Sequence, residues 1–186
     1  VGVVAVANGE GFATIFRSLG ATVVPGGPTV NPSLGELLRA IEADPHPKVM
    51  LLPNHPNVLL NAEQAVCLAV KPVALVPTCS MPQGLAAVLA LNVEAGLPEN
   101  RARMERASSA VQTAEVTRAV SPAYLYGLEI RQGQAIGLLN GELAAVGDVD
   151  TEAALITLSK MHLNGAQLIT VYYGSTVQEE RAGALA

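Results

Sequence analysis

Val49-Met50-Leu51-Leu52-Pro53-Asn54-His55-Pro56-Asn57 decides the fold: four apolar residues run into a polar, proline-bounded loop, and the helix-like segment Val58–Val70 follows. The arrangement recurs where Val1–Ala7 runs into Asn8-Gly9-Glu10-Gly11, and where Val73–Val76 runs into Pro77-Thr78-Cys79-Ser80. A fourth loop, Gly26-Gly27-Pro28-Thr29-Val30-Asn31-Pro32-Ser33, follows the strand Ala21–Val24. Strands that feed helices in this rhythm predict βα units and a largely parallel sheet, because parallel neighbours need a crossover between them. Ligands of such sheets sit beyond the carboxyl ends of the strands. The four loops are therefore the candidate site.

The helices between these strands are readable from period and caps. Phe12, Ile15, Phe16 and Leu19 fall at helical spacing and Gly20 stops them. Ser33-Leu34-Gly35-Glu36 has capping-box spacing, and Leu34, Leu37, Leu38 and Ile41 form one apolar stripe before Asp44-Pro45-His46-Pro47 breaks it. Gln83–Leu91 is almost entirely apolar and is expected to be buried. Leu97–Val111 is a more polar helix, and after it the period changes. Thr113–Val120, Tyr124–Ile130, Ala135–Leu139 and Glu142–Val146 read as short strands, with Gln132-Gly133 and Asn140-Gly141 as turns. A helix from Asp150 or Thr151 to about Leu163, a strand Gln167–Tyr173 and a last helix, Thr176–Ala186, capped by Ser175 or Thr176, complete the reading. The predicted class is α/β: a parallel-sheet βα lobe over 1–95, a connecting helix over 96–111, and a smaller α+β lobe with an antiparallel meander over 112–186.

Composition bounds the function. The 186 residues are 50% hydrophobic but only 3% aromatic, which suits a Val, Leu and Ala core of buried strands and close-packed helices. Sixteen acidic against 11 basic residues give a net charge of −5, which argues against nucleic acid as a partner. Arg101, Arg103, Arg106 and Arg118 are close in sequence, as a solvated helix face or as a contact for an acidic partner. Cys67 lies in an apolar helical stretch and is expected in the core, while Cys79 lies in a loop. Unpaired cysteines and the lack of a signal peptide read as a reducing, cytoplasmic compartment, and no segment has the apolar length of a membrane span. The chain opens inside a strand without an initiator Met, and reads as an excised piece of a longer protein.

Each candidate residue has a functional and a structural reading. Asn8-Gly9-Glu10-Gly11 stands where a phosphate-binding turn belongs, yet Thr14 occupies the third glycine position and Glu10 opposes an anion; otherwise it is a tight strand-to-helix turn. His55, between Asn54 and Asn57, has the chemistry of a general base or of an adduct-forming nucleophile, or else merely sits exposed in a turn. Thr78, Cys79, Ser80 and Gln83 offer hydroxyls, a thiol and an amide at a helix start, where capping is the alternative. The candidate ligand contacts are thus Asn8, Glu10, Asn31, Asn54, His55, Asn57, Thr78, Ser80 and Gln83, and the candidate partner contacts are Arg101, Arg103 and Arg106. Neither a metal-ligand spacing nor a catalytic triad is discernible.

Taken in order, these blocks resemble a known family. They are Asn8-Gly9-Glu10-Gly11-Phe12 with Ile15-Phe16-Arg17-Ser18-Leu19-Gly20, Gly26–Ser33, Leu52–Asn57, Pro77–Ala87, Glu115–Val120 and Ile136–Gly141. Together they are similar to the C-terminal part of the dihydroxyacetone-kinase-like proteins, understood largely as the A-type component of bacterial fatty acid kinase. The resemblance implies that ATP and magnesium belong to a separate N-terminal kinase domain of the same polypeptide and that this region holds no cofactor. It further implies a partner, the fatty-acid-binding DegV-like subunit, whose fatty acid is phosphorylated for phospholipid synthesis. Pro28, where relatives more often carry Gln, and His55, where another polar residue is common, depart from the pattern, so no catalytic residue is carried over. The family pattern runs beyond Ala186, and the last lobe is expected to be truncated. The expected role is a non-catalytic module that docks the acyl-carrying subunit. The alternatives are a domain binding an anionic or carbonyl metabolite in the strand-end cleft, and a dimerisation module giving a homodimer.

Overall fold

The computed structural model describes residues 1–27, 29–125, 127–166, 168–174, 177 and 179–183, without the side chains of 128, 179 and 181. Two compact units, Val1–Val111 and Gln112–Ala186, make up the chain. The first contains β1 (Gly2–Ala7), α1 (Glu10–Ser18), β2 (Thr22–Pro25), α2 (Leu34–Ala43) and β3 (Val49–Leu52). A 3₁₀ turn at Pro56–Val58 leads into α3 (Leu59–Leu68), and β4 (Val73–Leu75), α4 (Met81–Leu89) and α5 (Leu97–Ser109) follow.

The sheet order is β2-β1-β3-β4 and every neighbouring pair is parallel. Period-two alternation sends successive side chains to opposite faces. Val3, Ala5, Ala7, Met50 and Leu52 pack on one face with Phe16 of α1, Leu85 and Val88 of α4 and Met104 of α5. Val4, Val6, Val49 and Leu51 pack on the other with Leu37 and Ile41 of α2, Val58, and Ala62 and Ala65 of α3. Both faces are covered, which is why β1 and β3 are apolar without interruption.

Three local expectations are corrected in this unit. Cys67 is exposed, because the stripe α3 buries is Ala62 and Ala65, and position 67 turns more than a third of a circle away from both. Leu89, at the end of the apolar α4, is 72% exposed. The segment after His55 begins as a 3₁₀ turn, with Pro56 in its first position.

A polar anchor holds the amino ends of the strands. The Asp44 carboxylate, 4% exposed, accepts from Thr22 Oγ1 at 2.7 Å, from the His46 N–H at 3.0 Å and faces His46 Nδ1 at 2.8 Å. Lys71 Nζ donates to the Asp44 carbonyl. Burial pushes this carboxyl up, but the His46 and Thr22 bonds outweigh it and hold the group below its ordinary value.

The second unit contains β5 (Ala114–Arg118), β6 (Ala123–Leu125), β7 (Leu128–Ile130), β8 (Ala135–Leu139), β9 (Glu142–Gly147), α6 (Asp150–Ser159) and α7 (Glu179–Gly183). An antiparallel sheet has the order β5-β8-β9, and β6 pairs with β7 separately. Asn140 and Gly141 join β8 to β9 with φ of 51° and 87°, the two positive values a two-residue hairpin requires. Gly137 lets α6 approach the sheet closely: a Cβ there would overlap Thr157 Oγ1 and lie 3.0 Å from the Ala153 carbonyl.

Here too the sequence expectations need correction. The strand expected over Tyr124–Ile130 is a hairpin, turning at Gly127 with φ of 78°; Tyr126 lies outside the described residues. The helix expected to reach Leu163 ends at Ser159, where Lys160 and Met161 bond back three residues in a tightened last turn. The strand expected over Gln167–Tyr173 forms no ladder among the described residues 168–173, and Gln167 lies outside them. Pro28, the caps Ser175 and Thr176, Gln178 and residues 184–186 also lie outside the described residues.

Candidate functional site

β1 and β3 are adjacent, and the chain leaves them in opposite directions across the sheet, toward β2 and toward β4. A crevice forms beyond the carboxyl ends at such a switch point. The loops that meet there are those after β1, β2, β3 and β4.

At the centre is Asn54. It is 1% exposed and holds a left-handed backbone, φ 57°, which asparagine tolerates better than most residues. Its Nδ2 donates to the Val6 carbonyl at 2.9 Å, and its Oδ1 accepts from Thr78 Oγ1 at 2.6 Å. Its own N–H donates to Thr78 Oγ1 at 3.1 Å. One side chain therefore joins the ends of β1 and β3 to the loop after β4. Gly84 of α4 lies directly on it; a Cβ there would overlap the carboxamide, 2.6 Å from Cγ.

The other loop residues divide into scaffold and surface. Ser80 caps α4 by accepting from the Gln83 N–H at 3.3 Å, and Gln83 Oε1 accepts from the Cys79 N–H at 2.8 Å. Half-buried His55 caps the 3₁₀ turn, its Nδ1 accepting from the Asn57 N–H at 3.1 Å. That bond assigns the proton of the neutral ring to Nε2. Asn31 is exposed and receives a bond from Asn61 Nδ2 at 3.3 Å, while the same nitrogen holds the Pro32 carbonyl at 3.1 Å. Val30 in this loop has φ 45°, a strained value for a β-branched residue. Asn8, Glu10 and Asn57 are exposed.

The start of α1 faces this end of the sheet. Its N-cap, Gly9, offers no side-chain acceptor, so the first-turn N–H groups form a weakly positive end. Glu10 stands in that first turn, paired with Arg17 at 3.3 Å, and its charge opposes an anion there. Every buried side-chain nitrogen and oxygen among the described residues has a partner. No three His, Cys, Asp or Glu side chains among them converge as a metal site requires.

The three arginines lie on α5, outside the loop cluster. Arg101 Nε pairs with Glu105 at 2.7 Å, and Arg103 Nε donates to the Ala90 carbonyl at 3.3 Å. Arg106 is exposed. Asn100, on the buried face of this helix, is a residue the sequence reading passed over. It is fully buried, accepts from the Asn92 N–H at 2.8 Å and donates to the carbonyls of Asn92 and Ala95 at 2.9 and 3.0 Å. The signal was present: Asn100, Met104 and Ser108, four apart, are all buried.

Comparisons with known proteins agree with one another. The FakA-like C-terminal family, the C-terminal region of proteins like the A-type component of fatty acid kinase, matches residues 2–186. The chain is 35% identical over 185 residues to Protein YloV of Bacillus subtilis (strain 168), covering 99% of this chain and 34% of that protein. It is 30% identical over 178 residues to uncharacterised proteins of Staphylococcus aureus strains MRSA252 and N315, covering 95% of this chain and 32% of each. The chain thus spans about a third of the length of the curated relatives it matches.

Proposed function

Because the chain belongs to the FakA-like C-terminal family of fatty acid kinase, we propose that it is a docking module of a fatty-acid-kinase-type protein. It holds the fatty-acid-binding, DegV-like subunit near a separate kinase domain and performs no chemistry itself. Docking raises the effective concentration of the acyl substrate at the remote ATP site. In this reading ATP and magnesium belong to that kinase domain.

One observation carries this reading. Asn54, Thr78, Ser80 and Gln83, the polar residues nearest the switch point, direct their side chains to partners within the scaffold. What remains presented is a rim of Asn8, Glu10, Asn31 and Asn57 together with the exposed arginines of α5, Arg101, Arg103 and Arg106. A rigid base under an exposed polar rim suits a protein surface better than a small ligand, which needs unspent polar groups inside a concave pocket. Competition tests it. Excess isolated chain, added to a full-length kinase with its fatty-acid-binding subunit, is expected to slow acyl phosphate formation, and further subunit to restore the rate. An unchanged rate at saturating fragment contradicts docking.

A second reading rests on the start of α1 at the switch point, which has no side-chain cap and whose Glu10 charge is met by Arg17: the crevice holds a small anionic or carbonyl metabolite, touched by Asn8, Asn31 and His55. It expects His55→Ala to abolish metabolite binding while leaving subunit docking intact.

A further inference from the structure

We draw no further inference here: the strongest candidate, the apolar surface patch of Leu168, Ile169 and Val171 in the second unit, is exposed, and nothing in the structure shows what covers it.

Discussion

The contact between Asn54 and Gly84 makes a quantitative prediction. In Asn54→Ala, the Val6 carbonyl loses the Nδ2 donor and the Thr78 hydroxyl loses its acceptor. Each buried group left unsatisfied costs about 1–3 kcal/mol, and alanine in a left-handed backbone adds about 1 kcal/mol. The expected loss is about 3–7 kcal/mol, a large share of a typical domain's roughly 5–15 kcal/mol. Gly84→Ala alone drives a methyl into the pinned carboxamide, costing about 1–3 kcal/mol of overpacking, offset by about 1 kcal/mol of helix propensity. With Asn54 already truncated, that methyl enters vacated space and only the propensity gain remains. Gly84→Ala should therefore destabilise the parent but be neutral or stabilising in the Asn54→Ala background. The double-mutant coupling should be about 1–3 kcal/mol. Urea unfolding of the four proteins, followed by far-ultraviolet circular dichroism, measures it. Additivity within about 0.5 kcal/mol would refute the reasoning, because it would mean that the two side chains do not share that space.

Three other expectations concern separate parts of the molecule. Asp44 has a folded value below its unfolded one, so its stabilising contribution is complete above the unfolded value and is lost as pH falls through the folded value. The urea midpoint should be flat from pH 7 to about 5 and fall below about pH 4, and Asp44→Asn should be less stable at neutral pH with a shallower acid limb. Gly137→Ala forces α6 off its sheet and should cost the second unit about 1–3 kcal/mol; hydrogen exchange should show faster amides in β8 and β9 while those of β1 and β3 keep their rates. If the α5 face docks the subunit, joint reversal of Arg101, Arg103 and Arg106 to glutamate should weaken binding at least about tenfold and alter its salt dependence. Unchanged affinity in calorimetry would move the docking surface to the strand-end loops.

The parallel sheet was legible because its determinants are local. Val49–Leu52 and Gly2–Ala7 are apolar without interruption, polar loops close each strand, and Ser33 with Glu36 forms the capping box its spacing announces. Asn140-Gly141 likewise announces its hairpin. What stayed hidden depends on distant partners. Asn54 reads as a loop amide until Val6, Thr78 and Gly84, between 24 and 48 residues away, surround it. Cys67 sits in an apolar run, but which face of α3 is buried is set by the sheet and not by the run itself. The hairpin at Gly127 was marked by its glycine, and β-propensity on either side outweighed that mark in the reading.

The most direct test of the docking account is titration calorimetry of the chain against the fatty-acid-binding subunit with ATP absent. The account predicts saturable binding in the micromolar range. No heat of binding from a chain shown to be folded would contradict it.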